Sequence, residues 1–247
     1  AVDTSGSMSE EPDAVQANLN QFASIIVGSG IDVHVILIAD ASVCIPAPLG
    51  SGQCAGADEN LPNYRHVLQT VNSTDALQLI LSTYPQWSSS LRPNATKTLA
   101  VVSDDDSDMS AATFTSQLLA LDPPTFQGFK FDAIVSSTSP DACIFGGCFF
   151  NCATCTNPCC DQGQFCQPLS AEEGTVYKQL IQQTTGVYGD LCSQDFDPVF
   201  QDMATAVVQA SQLSCNYDIP PPPAGEDLDP SKVNAEYTPG DGSPPQP

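Results

Sequence analysis

Basic residues are scarce in this chain: six Lys and Arg against 29 Asp and Glu in 247 residues, a formal net charge of −23. The six are scattered, at Arg65, Arg92, Lys97, Lys130, Lys178 and Lys232. A surface that grips phosphate needs clustered Lys and Arg. Nucleic acid and anionic membrane are therefore poor candidate partners. Histidine is equally rare, with only His34 and His66. His34 sits in a β-branched run and reads as a buried structural residue. His66 has no nucleophile motif beside it. A hydrolase needs a nucleophile next to a base, so the sequence does not read as an enzyme. Long apolar runs are also missing, and nothing approaches the roughly 18–20 residues of a membrane-spanning helix. No direct membrane insertion is expected in this segment.

What the chain has is cysteine, proline and acid. Eleven cysteines suit an oxidising compartment, hence a secreted or cell-surface protein. Cys44 and Cys54 read as one isolated pair, and Cys192 and Cys215 as another. The first would close a Gly- and Pro-rich loop, a constraint worth ~2–3 kcal/mol in the loop-closure picture. The other seven crowd together as Cys143-x4-Cys148-x3-Cys152-x2-Cys155-x3-Cys159-Cys160-x5-Cys166. Cys152-x2-Cys155 has zinc-ligand spacing, but no second such pair follows and no histidine is near. A small disulfide knot is the preferred reading, because so short a segment has almost no core without staples. The odd total means that one thiol is free, pairs with another chain, or has its partner in a part of the precursor beyond this segment. The acidic excess would attract cations or a basic partner.

Strand and helix patterns alternate. Val15, Leu19, Phe22 and Ile26 make one helical face, and Val33 to Ile38 a buried strand. Asp75 to Tyr84 reads as a helix stopped by Pro85, with Trp87 in the loop beyond. Thr98 to Ser103 is a strand, Ala111 to Leu121 a helix, and Phe129 to Val135 a strand. Ala171 to Thr184 reads as a helix opened by a Ser170/Glu173 capping box. Phe196, Phe200, Met203, Val207 and Ala210 stripe a last helix before a strand at Cys215 to Ile219. Such alternation predicts an α/β fold with a mostly parallel sheet covered on both faces. A Cys-rich insertion fills about 138–168. From Pro220 the four prolines, with Gly, Asp and Ser, predict a linker or strap over 220–247. The opening Ala1-Val2-Asp3 is too short for a central strand, so the expected chain is an excerpt of a longer precursor.

The most informative residues are Asp3-Thr4-Ser5-Gly6-Ser7, read as D-x-S-x-S. One carboxylate and two hydroxyls on a tight turn offer three hard oxygens, which suit Mg²⁺. The ordinary alternative is a helix N-cap. The motif resembles the metal-ion-dependent adhesion site of the von Willebrand factor type A family. The resemblance covers residues 1 to about 219. It is nearest to bacterial extracellular members with an early V-D-T-S-G-S-M-S and a late passage like that from Cys192 to Pro220. It implies a three-layer, doubly wound, Rossmann-like α/β fold with metal loops at the carboxyl ends of the strands. The first loop would supply Asp3, Ser5 and Ser7. The second would supply Ser73, with Thr74 the runner-up. The third would supply Asp104, which follows the strand ending at Ser103.

Asp105 stands where the family usually has glycine. With it, the site would move towards Ca²⁺, which accepts more carboxylates. Otherwise Asp105, Asp106 and Asp108 read as a solvated acidic turn. The implied cofactor is Mg²⁺, or Ca²⁺ or Mn²⁺. The implied partner is a protein presenting an Asp or Glu carboxylate to the ion's open position, which makes the domain an adhesion module. The alternative is a structural module in which the metal only stabilises loops. Asn72-Ser73-Thr74 and Asn94-Ala95-Thr96 match the glycosylation pattern, and a bacterial source, which the resemblance implies, would make both matches chance.

Overall fold

The computed structural model describes residues 1–8, 11–51, 54, 58–144, 148, 152, 155–161, 166–211 and 229. Contacts divide the chain into Ala1–Ser211 and Gln212–Pro247. The expected strand at Cys215 to Ile219 lies outside the described residues, and so does most of the expected strap.

The elements of the first unit run in order as α1 (Glu11–Gly28), β1 (Val35–Ala39), β2 (Tyr64–Leu68), α2 (Ala76–Ser82) and α3 (Tyr84–Trp87). They continue as β3 (Thr98–Val102), α4 (Ala111–Leu119), β4 (Lys130–Val135), α5 (Asp141–Ile144), α6 (Thr175–Thr184), β5 (Tyr188–Asp190) and α7 (Asp197–Ser211). The strands form two small parallel sheets, β1 with β2 and β3 with β4 and β5. The opening residues run between them. Val2 donates its N–H to Ile38 of β1 at 3.0 Å, Asp3 to Val102 of β3 at 2.9 Å, and Val102 to Ala1 at 3.1 Å.

Strand side chains alternate between two apolar clusters, as the pleat requires. Ile38, Val67, Val101, Phe131, Ala133 and Val135 pack with α2, α4 and α6. Leu37, Ala39, Val102 and Ile134 pack with α1 and α7. Phe131 sits at the centre of the first cluster, stacked on Tyr177 at 6.3 Å and edge-on to Phe114 at 5.9 Å. Burying a side chain of this size stabilises the fold by roughly 1.5–3 kcal/mol. On α1 the expected stripe is buried at Val15, Leu19 and Ile26, with Ala23 beside them and Phe22 at its margin.

Local detail departs from the sequence pattern in four places. First, β1 begins at Val35, whose N–H bonds Asn63 O at 2.8 Å. His34 therefore precedes the strand, half-buried, with Nδ1 2.7 Å from Ser90 O. Second, the helix expected to stop at Pro85 breaks at Thr83. Proline lacks an N–H but fits the first turn of a helix, so α3 starts over it. Trp87 is buried there, donating Nε1–H to Thr83 Oγ1 at 3.1 Å. Third, α6 begins at Thr175, and the Ser170/Glu173 box does not form. Ser170 donates to Ser136 Oγ at 2.9 Å, while Glu173 pairs with Lys178. Fourth, Cys192 bonds Cys159 and not Cys215. Cys192 follows β5, which lies beside β4 and so brings it to Ser136 and the insertion.

The ten described cysteines form five disulfides: Cys44–Cys54, as expected, then Cys143–Cys160, Cys148–Cys155, Cys152–Cys166 and Cys159–Cys192. Cys215 lies outside the described residues. The insertion is thus a knot of three bonds with a fourth anchoring it to the sheet. Among the described residues no helix is long and apolar enough to cross a membrane.

Candidate functional site

Three chain segments meet just beyond Val102, where β3 ends. The first is the turn after Asp3. Asp3 is fully buried, and its Oδ1 accepts the Ser5 N–H at 2.8 Å. This Asx-type bond closes the turn locally, and Met8 N–H to Ser5 O at 3.1 Å completes it. The hydroxyls of Ser5 and Ser7 lie 3.1 Å apart. Ser7 then donates to Asp104 Oδ1 at 3.1 Å, a bond spanning 97 positions of sequence.

The second segment follows β2. Thr4 N–H bonds Val71 O at 3.0 Å and so ties the first turn to it. Asp75 braces it by accepting Asn72 N–H at 2.8 Å and Asn72 Nδ2 at 2.7 Å. Ser73 accepts the Ser103 hydroxyl at its backbone carbonyl, at 3.3 Å. Thr74 donates its hydroxyl to Asp108 Oδ2 at 2.8 Å.

The third segment is 103–108. The Ser103 hydroxyl points to Asp3 Oδ2 at 2.7 Å and to Ser73 O at 3.3 Å, so a single group touches both other segments. Asp104 is buried beside it. Asp105 is half-buried. Burial raises its pKa above the usual carboxylate range, and the charges of Asp3 and Asp106 add to this against the lowering influence of the Ser73 hydroxyl. Asp106 accepts the Thr175 hydroxyl and, at 2.9 Å, the Val176 N–H, capping the first turn of α6. The acidic turn is therefore not merely solvated, because Asp106 and Asp108 each hold a named partner on another segment.

Asp3, Ser5, Ser7 and Asp104 are thus one hydrogen-bonded chain, and the Ser73 carbonyl joins it through Ser103. Two groups have roles that the sequence does not announce. Ser103 reads only as the residue before Asp104, and its position directly ahead of a carboxylate run carries no motif. Asp106 as a helix cap is hidden because the sequence pattern starts α6 at Ala171, four residues before its observed start.

The donor set is all hard oxygen, from carboxylates at Asp3 and Asp104 and hydroxyls at Ser5, Ser7 and Ser73. The described basic side chains are engaged elsewhere. Arg65 meets Glu59 and Ser90, Arg92 meets Asp32, Lys97 meets the carbonyls of Arg92 and Ala95, Lys130 meets Thr184, and Lys178 meets Glu173. Buried carboxylates brought together in this way suit a divalent cation from solution. Two sulfur-rich groups, Cys148/Cys155/Cys160 and Cys159/Asp190/Cys192, also have metal-binding spacing. Their sulfurs are spent in disulfides, and it is the thiolate that binds metal.

A separate cavity of 290 Å³ lies beside Asp58, Arg65, His66 and Gln86. Both nitrogens of buried His66 face structural partners there, Nε2 to Ala39 O at 3.1 Å and Nδ1 to Asp58 at 3.6 Å. Asp58 in turn accepts the Tyr64 hydroxyl at 2.7 Å. No family model, curated protein or solved structure matches the chain.

Proposed function

We propose that this protein is a von Willebrand factor type A-like module that binds a partner protein through a divalent cation. Asp3, Ser5, Ser7, Ser73 and Asp104 would hold the ion, directly or through water. The observation that carries this reading is the convergence of three segments, about 30 and 70 positions apart, onto the Asp3–Ser103–Ser73 and Ser7–Asp104 bonds.

Topology supports it. Counting Ala1 to Thr4 as a first strand, the hydrogen bonds of Val2 and Asp3 join the two sheets in the order β2, β1, Ala1–Thr4, β3, β4, β5. Counted so, the order would match the 3-2-1-4-5-6 arrangement of doubly wound folds, which bind ligands at the carboxyl ends of the strands where the order reverses. The reversal falls between Asp3 and β3, where the oxygens gather.

The cation would screen the buried carboxylates and keep a coordination position for a carboxylate on the partner, a charge-assisted contact. Gly6 and Ser7 are exposed, so the rim is open to such an approach. Five disulfides fit a life outside the cell, and the net charge of −23 would raise the local cation concentration.

The test is a thermal melt with Mg²⁺, Mn²⁺ or Ca²⁺, followed by binding to an array of Asp- and Glu-bearing peptides with Mg²⁺ or EDTA. We expect a cation-dependent rise in Tm and EDTA-sensitive capture, both lost in Asp3→Ala. A Tm rise without capture would favour a structural module. No Tm rise with any ion would refute the metal site.

A further inference from the structure

The Cys-rich insertion lies outside the donor set, yet a continuous set of contacts runs from it to Asp104. Cys159 and Cys192 are bonded, and both sulfurs touch the Ser136 hydroxyl, at 3.1 and 3.2 Å. Ser136 directly follows β4 and is fully buried. Its hydroxyl donates to Thr138 O at 2.8 Å and accepts from Ser170 at 2.9 Å. Leu169 N–H bonds Cys159 O at 2.8 Å, so the disulfide and Ser170 are also coupled through the backbone.

The next two amides, Ala171 and Glu172, both donate to the Asp104 carbonyl, at 2.9 and 3.0 Å. Gly174 N–H returns to Ser136 O at 3.3 Å. A Cβ at Gly174 would lie 2.6 Å from Val135 Cβ, so the segment presses against β4 as closely as glycine permits. Then Thr175 and Val176 bind the Asp106 carboxylate. Residues 170–176 therefore form a strap. One end is fixed at Ser136 beside the disulfide, and the other grips the backbone of Asp104 and the side chain of Asp106.

We propose that the Cys159–Cys192 disulfide, acting through Ser136 and Ser170, positions the Asp104 loop for cation binding. The inference rests on the cation-site reading above. Cys159 and Cys192 are 0% and 5% exposed, so this is a permanent brace and not a contact exchanged with solvent. Asp104 follows the last residues of β3, and Ser103 N–H bonds Ile134 O at 3.2 Å. The loop is thus held to β4 on one side and to the strap on the other. Cutting the strap's anchor frees the side that aims the carboxylate. Partners that orient a metal ligand typically change affinity by about 10–100-fold when removed.

The experiment compares Cys159→Ala/Cys192→Ala with Cys148→Ala/Cys155→Ala, a disulfide of the insertion that does not touch Ser136. Amide hydrogen exchange without added metal reads the strap, and calorimetric Mg²⁺ titration reads the site. In the first variant we expect faster exchange at Ala171 and Glu172 and about 10-fold weaker Mg²⁺ binding. In the second, both stay as in the unaltered chain. Ser170→Ala, which keeps every disulfide, should move both readouts in the same direction by less, and it decides the matter if the double variant does not fold. Unchanged Mg²⁺ affinity despite faster exchange would overturn the proposal, and so would equal effects from both disulfides. If the unaltered chain takes up no Mg²⁺, the cation reading fails; faster exchange at the two amides would then still establish the strap.

Discussion

The sheet region and the Cys-rich insertion are stabilised in different ways. Around β3 and β4, Val101, Phe131, Ala133, Ile134 and Val135 are all fully buried between two layers of helices. Hydrophobic burial holds this region, and hydrogen bonds only specify its register. In the insertion the buried cluster consists of Cys143, Cys148, Cys160 and Cys166, with Ala142, Cys152 and Cys155 packed against them. Among the described residues of the insertion the buried apolar cluster is made almost wholly of disulfide cysteines, so there covalent bonds stand in for a core. The candidate cation site depends on both, since Asp3 and Asp104 grow from the sheet while the strap behind Asp104 is pinned by a disulfide.

This contrast can be broken by substitution. Phe131→Ala should cost about 3–5 kcal/mol, by lost burial and the cavity left behind. It should lower the global Tm while the five disulfides remain intact on mass analysis. A loss under 1 kcal/mol would mean that the sheet does not depend on its core. Removing Cys143–Cys160 as a pair of alanines should cost about 3 kcal/mol in the loop-closure picture. The cost should appear locally, as protease cuts and faster exchange within 141–168, with the sheet amides still protected. Global unfolding at the same denaturant concentration would merge the two regions into one cooperative unit.

Asp3→Ala should abolish stabilisation by cation. For the unaltered chain at a hundred times the dissociation constant, that stabilisation is about 2.7 kcal/mol. The smallest effect is expected at Asp132 on β4. It is 1% exposed, accepts Val187 N–H at 2.7 Å through Oδ1, and leaves Oδ2 without a hydrogen-bond partner. Burial pushes its pKa up to about 6, against the opposing pull of the Val187 bond and Lys130. Between the usual carboxylate value near 4 and that figure, the folded chain holds a proton that the unfolded chain has released. Stability therefore falls as pH rises through this window. Asp132→Asn should remove that decline and gain about 1–3 kcal/mol at pH 7, with no gain below pH 4. Urea melts at the two pH values would read it, and equal effects at both would assign the change to packing.

Much of the fold is legible in the sequence because burial leaves a periodic trace. The stripe Val15, Leu19, Ile26 and the runs ending at Ile38, Ser103 and Val135 locate α1, β1, β3 and β4 within one or two residues. What stays hidden has no period. Ser170 looks like a cap because Glu173 stands three residues on, yet it bonds a serine at the end of β4. Cys192 and Cys215 look like a pair by their isolation in sequence, whereas disulfide partners are chosen by proximity in the fold. At the site, the Asp3–Ser5 turn is local and can be read directly. The meeting of Asp3, Ser73 and Asp104 is not, since it depends on where parallel strands end. Only the family resemblance brings those residues together from sequence.

The central claim is that one divalent cation sits among Asp3, Ser5, Ser7, Ser73 and Asp104. Its most direct test is the paramagnetic effect of substoichiometric Mn²⁺ on assigned backbone amide resonances. The account predicts that Ser5, Ser7, Ser73 and Asp105 broaden first and together, and recover on adding EDTA. Broadening centred instead on Asp141–Ile144 or Gln212–Pro247, with those four signals sharp, would contradict it.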